Sequence, residues 1–159
     1  MIIPNIKSLS WLFVGIVKEN DMKKIGVTGT RSGMTEPQKV FLTNLLLQYM
    51  VIFEELHHGD CIGVDVEVAH FFKLQGIKTV CHPPRKSELR AFHKSDEFRE
   101  PEDYFKRNRN IVDETDLLLV FPYQMERQTH GGTWYTYDYA KKKNKPIILI
   151  LPDGSIKEY

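Results

Sequence analysis

The chain has 159 residues, 42% of them hydrophobic and 27% charged, which is typical of one globular domain and excludes a disordered or low-complexity protein. Its 22 Lys and Arg residues nearly balance its 21 Asp and Glu residues, and a net charge of +1 disfavours nonspecific binding of nucleic acid through a basic surface. The two cysteines, Cys61 and Cys81, belong to no CxxC motif, which excludes a zinc ribbon and a disulfide scaffold.

Residues 1–22 are expected to form an N-terminal extension of a single domain that covers residues 23–159. Their one apolar run, Trp11–Val17, is seven residues long and lacks the basic segment and cleavage site of a signal peptide. No run in the sequence approaches the ~18 apolar residues that span a bilayer. We therefore expect a soluble cytoplasmic protein with no membrane partner.

Short apolar runs alternate with longer amphipathic segments in the first half of this domain. Residues 24–28 predict a buried strand, and a helix follows in which Thr35 is the N-cap and apolar residues recur every three or four positions. Residues 55–58 predict the second strand. Residues 64–76 have valines at alternate positions, which is typical of a strand, but their length and the spacing of their apolar residues favour a helix.

The alternation continues in the second half, after a polar interruption. Residues 77–81 predict the third strand, and the charged segment 85–103 predicts a surface loop or a short helix. Helices and strands then alternate at residues 104–114, 117–121, 133–143 and 147–151. The run 117–121 is apolar throughout, as in strands that are buried on both faces. Asp153-Gly154 indicates a small hairpin at the end of the chain.

This order of elements predicts one doubly wound α/β domain. Apolar strands that alternate with helices favour a mostly parallel sheet of about five strands, flanked by helices. In such sheets, ligands bind beyond the carboxyl ends of the strands. The glycines, hydroxyl groups and charged residues of this sequence concentrate in the segments that follow the strands, so we expect the functional site at that edge.

Two of these segments suit a phosphate group. Gly29-Thr30-Arg31 joins a strand to a helix through small residues, and Arg31 could add a bidentate contact; an ordinary turn with a surface arginine is the alternative. Gly131-Gly132-Thr133 forms a second turn of this kind, for which a plain helix N-cap is the alternative. Both turns predict phosphate binding at the start of a helix.

The turn from His58 to Asp65 contains Gly59 and Gly63 and ends in an acidic residue. Asp65 fits two roles equally well, since it could accept a ribose hydroxyl or occupy the first turn of a helix, where the macrodipole favours a carboxylate. Arg107 and Asn108 precede the most apolar strand, either as a solvated turn or with the arginine directed at a phosphate.

Nucleophilic and metal chemistry are not expected from the remaining residues. Cys61 has no evident base partner, so it is not predicted to be a nucleophile. His57, His58 and His130 lie near the expected site, but no acidic residues stand at matching spacings. The sequence therefore predicts neither a metal site nor a cofactor.

Taken together, these segments resemble the SLOG superfamily of Rossmann-like nucleotide-binding domains, which includes the lonely-guy cytokinin phosphoribohydrolases, the DNA-processing protein domain and stand-alone phage and bacterial proteins. The likeness covers about residues 23–151 and rests on the order and spacing of the four segments. It implies that a nucleotide or a nucleotide-derived ligand is bound by Gly29, Thr30, Arg31, Gly59, Gly63, Asp65, Arg107, Asn108, Gly131, Gly132 and Thr133.

The resemblance also bears on catalysis. The phosphoribohydrolases have an arginine nine residues before an aspartate, as Arg107 stands before Asp116, and a PGGxGTxxE motif whose glutamate serves glycosidic cleavage. Here His130 replaces the proline, and one alignment places Asp138 at the glutamate, whereas another places no acid there. The implied alternatives to binding alone are a nucleotide N-glycosidase, with Asp138 or else Asp65 as the carboxylate and Arg107 orienting the phosphate, and a non-catalytic interaction protein.

Nucleic acid is not expected to be the main partner, despite the DNA-processing relatives. No basic stripe with interleaved aromatic residues runs along one element, although Arg107 with Arg109 and the segment Lys141–Lys145 form local basic clusters. A homo-oligomer is left open.

Overall fold

The structure, a computed structural model, describes residues 21–157, so the predicted extension lies outside it except for Asp21 and Met22. The strands are β1 (Lys24–Gly29), β2 (Glu55–His58), β3 (Lys78–Cys81), β4 (Glu97–Phe98), β5 (Leu117–Phe121), β6 (Ile147–Ile150) and β7 (Ile156–Lys157). The helices are α1 (Glu36–Tyr49), α2 (Val64–Leu74), α3 (Tyr104–Asp113) and α4 (Gly132–Lys142). Among these described residues, no helix is both long enough and apolar enough to cross a membrane.

The seven strands form one sheet in the order β4-β3-β2-β1-β5-β6-β7. All neighbouring strands are parallel except β6 and β7, which form the predicted terminal hairpin. The doubly wound α/β fold is thereby confirmed, with seven strands rather than about five. The order reverses at β1, so the crevice between the carboxyl ends of β1 and β5 is the topological switch point, where ligands bind in folds of this type.

The strand β4 lies in the segment 85–103, which the sequence predicted to be a loop or a short helix. Polar contacts rather than apolar burial place it beside β3. The Asp96 carboxylate accepts hydrogen bonds from the Thr79 backbone N–H at 2.8 Å and from the Thr79 hydroxyl at 3.0 Å. The Arg99 N–H donates to the Cys81 carbonyl at 2.8 Å. A strand of two residues held in this way leaves no apolar pattern in the sequence.

Helices cover both faces of the sheet. The helices α1 and α2 pack on a core that includes Ile25, Leu117 and Leu119, whereas α3 and α4 pack on Leu118 and Val120 from the opposite face. Because successive side chains of a strand point to opposite faces, β5 needs apolar residues at every position. This explains the unbroken apolar run that predicted the strand.

The start of α1 is attached to the carboxyl edge of the sheet. Thr35 is the N-cap, and its hydroxyl accepts a hydrogen bond from the Gln38 N–H at 3.2 Å, as predicted from the sequence. The buried Gln38 side chain accepts a hydrogen bond from the Thr35 N–H through Oε1 and donates through Nε2 to the carbonyls of Pro122 and Ile150 at 3.3 and 2.9 Å. The helix is therefore fixed against the ends of β5 and β6.

Candidate functional site

The turns after β1 and β2 pack directly against each other. A Cβ atom at Gly29 would lie 2.5 Å from Val64 Cγ1, and one at Gly63, where φ is +98°, would overlap the Arg31 carbonyl. The Val64 N–H at the start of α2 donates to the Thr30 carbonyl at 3.0 Å. These contacts give Gly29 and Gly63 a role in packing the protein against itself, and they occupy the N-terminus of α2. Ligand contacts by these glycines remain predictions.

Arg107 is buried beneath the same edge, with 1% of its surface exposed. One guanidinium nitrogen donates to the carbonyls of Gly59 and, at 3.0 Å, His82, while Nε donates to Asn108 Oδ1 at 2.8 Å. The guanidinium carbon also lies 5.0 Å from the centre of the Tyr104 ring. Arg107 thus joins the residues that follow β2 and β3. The predicted contact between Arg107 and a phosphate remains a prediction.

Asp65 lies beside Arg107 in the first turn of α2. One carboxylate oxygen accepts hydrogen bonds from the N–H groups of Gly59 and Cys61 at 3.1 and 3.3 Å. Burial raises the pKa of Asp65 to about 6, although the charge of Arg107 acts in the opposite direction. These bonds organise the turn between β2 and α2, which favours the helix-start alternative; the ribose contact is still a prediction.

The thiol of Cys61 is also buried here. Burial, together with the nearby Asp65 carboxylate, raises the pKa of Cys61 to about 11. The thiol is therefore protonated near neutral pH, and a protonated thiol is a poor nucleophile.

The start of α4 differs from that of α2, because it is open. Gly131 has φ +101°, nothing lies within 4 Å of a Cβ placed on it, and among the described residues no side chain caps the helix. Gly131 and Thr133 line a cavity of about 170 Å³ together with Thr30, which follows β1, and Pro122, which follows β5. The cavity therefore lies at the switch point, and the N–H groups of the first helical turn, which have no partners within the helix, are next to it.

A second cavity of about 390 Å³ also adjoins the β1–α1 turn, since Thr30 lines the first cavity and Arg31 the second. Tyr104 and Leu89 line it along with Arg31. The Tyr104 ring also packs so closely on Gly132 that no Cβ would fit there. Tyr104 thus links the start of α3 to the start of α4. The sequence predicted only a helix start at this position, and nothing marked the tyrosine.

Asp138, the preferred catalytic carboxylate, lies on the surface of α4. Both of its oxygens accept hydrogen bonds from Arg127, at 2.6 and 2.8 Å, and its side chain is 53% exposed. Arg127 is held in turn over the ring of Trp134, 5.2 Å from its centre. Asp138 is not among the described residues that line the two cavities, nor is Asp65. A catalytic role for either remains a prediction.

No family model and no curated protein matches the chain. Solved structures of similar fold include a molybdenum cofactor binding protein from Rippkaea orientalis (20% identity, TM-score 0.61, covering 82% of this chain and 77% of that one). TM1055, a structural-genomics target, has 17% identity and a TM-score of 0.60, over 81% of this chain and 74% of the other. DNA processing protein A from Helicobacter pylori has 16% identity and a TM-score of 0.57, over 82% and 66%.

These neighbours all have SLOG-type folds, and this chain has a fold of the same type. The resemblance drawn from the four sequence segments is therefore confirmed for the fold. The neighbours are described as binding different ligands: one is a cofactor-binding protein, and another binds single-stranded DNA.

Proposed function

We propose that the chain binds a nucleotide or a nucleotide-derived ligand at the carboxyl edge of the sheet, with a phosphate at the start of α4. The observation that carries the proposal is the uncapped N-terminus of α4, which opens onto the cavity at the switch point. The backbone N–H groups at the start of a helix and the positive end of the helix dipole stabilise an anion at such a position. Thr30 and Thr133 line the same cavity and carry hydroxyl groups that can bind phosphate oxygens.

The larger cavity has room for the rest of the ligand. Its volume of about 390 Å³ is in the range of small-molecule sites. The ring of Tyr104 offers a surface on which a base can stack, and Leu89 adds apolar contact. Three basic residues, Arg31, Arg85 and Lys86, line it with two acidic ones, Glu88 and Asp103, so positive charge is in slight excess. A ligand with an aromatic base and one or more phosphates fits this combination, and a cofactor-binding protein of similar fold agrees with a small-molecule partner.

Thr133→Glu tests the phosphate position. A carboxylate in the first turn of α4 would occupy the place of the anion and repel it, while the helix dipole favours the acidic residue, so the fold should be retained. A panel of mono-, di- and dinucleotides is first titrated by calorimetry to find the ligand that binds most tightly. We expect Thr133→Glu to weaken the binding of that ligand at least about tenfold, because one charge-assisted contact is lost. Thr43→Glu, the same change on the exposed surface of α1, should leave binding unchanged.

Two results would contradict the proposal. Equal binding by Thr133→Glu and the unaltered protein would place the phosphate elsewhere. No heat and no thermal shift with any nucleotide would favour the non-catalytic interaction protein.

Binding rather than glycosidic cleavage is proposed because neither Asp138 nor Asp65 lines either cavity. Of the carboxylates that line the larger cavity, Asp103 pairs with Arg85, and Glu88 belongs to no catalytic motif that the resemblance implies. Cleavage of an N-glycosidic bond requires a carboxylate near the anomeric carbon. Asp138 pairs with Arg127 on the surface, and Asp65 is bonded to backbone N–H groups. Incubation with each nucleoside monophosphate, followed by an assay for free base, should show no release. Release that disappears in Asp138→Asn would restore the glycosidase.

A further inference from the structure

His57, His82 and Glu114 meet on the face of the sheet that α3 covers. His57 is in β2, His82 directly follows β3, and Glu114 directly follows α3. The two imidazoles are fully buried, whereas the Glu114 side chain is 37% exposed. None of the three lines the cavities at the carboxyl edge. The sequence predicted no metal site because His57 had no acidic partner at a matching spacing; the fold supplies that partner from 57 positions further along the chain.

The distances within this cluster match those of a metal site. His57 Nδ1 lies 2.8 Å from His82 Nε2, and Glu114 Oε2 lies 3.6 Å from the first and 3.7 Å from the second. A triangle with these sides has a circumradius of about 2.0 Å, and Zn²⁺ binds histidine nitrogen and carboxylate oxygen at about 2.0–2.2 Å. The three atoms are therefore spaced so that one ion can contact all of them.

Surrounding groups prepare each ligand. His57 Nε2 lies 2.9 Å from Glu55 Oε2, which holds the proton of this ring on Nε2 and leaves the lone pair of Nδ1 directed into the cluster. Arg99 Nε donates to Glu114 Oε2 at 2.9 Å, and that oxygen keeps a second lone pair for an ion. Carboxylates that accept from ligating histidines, and donors that hold ligating carboxylates, are the usual second layer of a metal site.

The end of α3 favours a cation beside this cluster. Glu114 is also the C-cap of α3, and the negative end of a helix dipole favours positive charge.

We propose that His57, His82 and Glu114 bind one divalent ion of the Zn²⁺ class and leave a fourth position for an exchangeable water on the exposed side of Glu114. Two imidazoles and a carboxylate form a donor set that Zn²⁺ prefers. On binding, the hydrogen bond between the two rings is replaced by two coordinate bonds, and the proton on His82 moves from Nε2 to Nδ1. This site goes beyond the proposed nucleotide function and does not depend on it.

The neighbouring group of His58, Asp60 and Cys81 is less suited to an ion. His58 Nδ1 already accepts from the Asp60 N–H at 3.1 Å, and the Asp60 carboxylate accepts from Arg90 at 2.9 Å and from the His93 N–H at 2.9 Å. The one lone pair of His58 Nδ1 is therefore already used, and both Asp60 oxygens are already hydrogen-bonded. The group serves as the alternative location in the test.

The test is calorimetric titration of the chelator-treated chain with ZnCl₂, and with CoCl₂ for its visible absorption. We expect one ion per chain, and a Co²⁺ spectrum of low coordination number. Glu114→Gln and His82→Gln should each weaken Zn²⁺ binding at least about tenfold, since loss of a second-layer contact alone costs about that much. His70→Ala, which removes an exposed histidine from α2, should leave the affinity unchanged.

Several outcomes would overturn the proposal. The unaltered protein could bind no Zn²⁺, or both variants could bind it as tightly as the unaltered protein. Loss of binding in Cys81→Ser, with Glu114→Gln unaffected, would place the ion in the neighbouring group. Because Glu114 is partly exposed, Glu114→Gln gives the answer even if substitution of the buried His82 prevents folding. Circular dichroism of each variant identifies such a failure.

Discussion

At the scale of single residues, Arg107 has a structural role that its position in the chain does not reveal. A guanidinium has five N–H donors and no acceptor, so a buried arginine must find several acceptors. Arg107 finds them in the carbonyls of Gly59 and His82 and in the Asn108 side chain. The sequence predicted an arginine near the carboxyl edge, but the spacing of residues could not reveal which acceptors it would bind.

Arg107→Met should destabilise the fold strongly. The substitution leaves two buried carbonyls and the Asp65 carboxylate without their cationic partner, which should lower the free energy of unfolding by about 2–4 kcal/mol. Urea denaturation measures the effect. Arg109→Met is the matched control, because Arg109 is on the same helix but bonds to the Tyr135 hydroxyl near the surface. Similar losses in the two variants would show that Arg107 is no more structural than its neighbour.

Asp65 should give the stability a characteristic pH dependence. Its pKa of about 6 lies above the ordinary value of 3.8, so the folded state binds the proton more tightly than the unfolded state does. The stabilisation that comes from the protonated Asp65 carboxyl is therefore complete below about pH 4, and it is lost as the pH rises through about 6. Asp65→Asn has no such dependence. The stability of the unaltered protein relative to Asp65→Asn should therefore fall over this range, by at most about 3 kcal/mol.

Urea denaturation of both proteins at pH 4, 5, 6 and 7 measures this difference. The buried histidines, whose lowered pKa values make stability rise with pH, are present in both proteins and cancel in the comparison. Parallel pH profiles would mean that Asp65 titrates normally.

At the scale of elements, the start of α1 joins the helix to two strand ends. Thr35→Ala removes the acceptor for the Gln38 N–H and the hydroxyl that donates to the Pro152 carbonyl at 2.7 Å. We expect the free energy of unfolding to fall by about 1 kcal/mol, the usual cost of losing a threonine N-cap. Thr43→Ala, at an exposed position within the same helix, should have little effect or stabilise slightly. A cap variant as stable as this control would contradict the capping role.

Elements with apolar periodicity or a cap were predictable from the sequence, and elements made by polar contacts were not. The α2 segment was assigned correctly because its length outweighed the alternation of Val64, Val66 and Val68. The strand β4 was missed because Asp96 and Thr79 create it through hydrogen bonds between segments 17 positions apart. The same division applies to the turns of the candidate site. The sequence places them after the strands, but the difference between the packed start of α2 and the open start of α4 depends on contacts between distant turns.

At the scale of the whole molecule, the charge balance predicts weak binding of single-stranded DNA. The net charge is +1, and basic side chains such as Arg85 and Lys106 already pair with Glu102. Binding of a labelled oligonucleotide, measured by fluorescence anisotropy at two salt concentrations, should be much weaker than binding of the best nucleotide. Tight binding that falls steeply with salt would contradict this expectation and would agree with the DNA processing proteins of similar fold.

The strand order has a consequence for the chain as it leaves the ribosome. Of the described strands, β1 is synthesised first, yet it occupies the middle of the sheet. Its second neighbour, β5, is synthesised about 90 residues after it. Strands β1 to β4 can assemble while β5 is still within the translation machinery. During that interval the nascent half-sheet presents the unpaired edge of β1, a template for pairing with another polypeptide. Rapid elongation through residues 104–121 would shorten that interval.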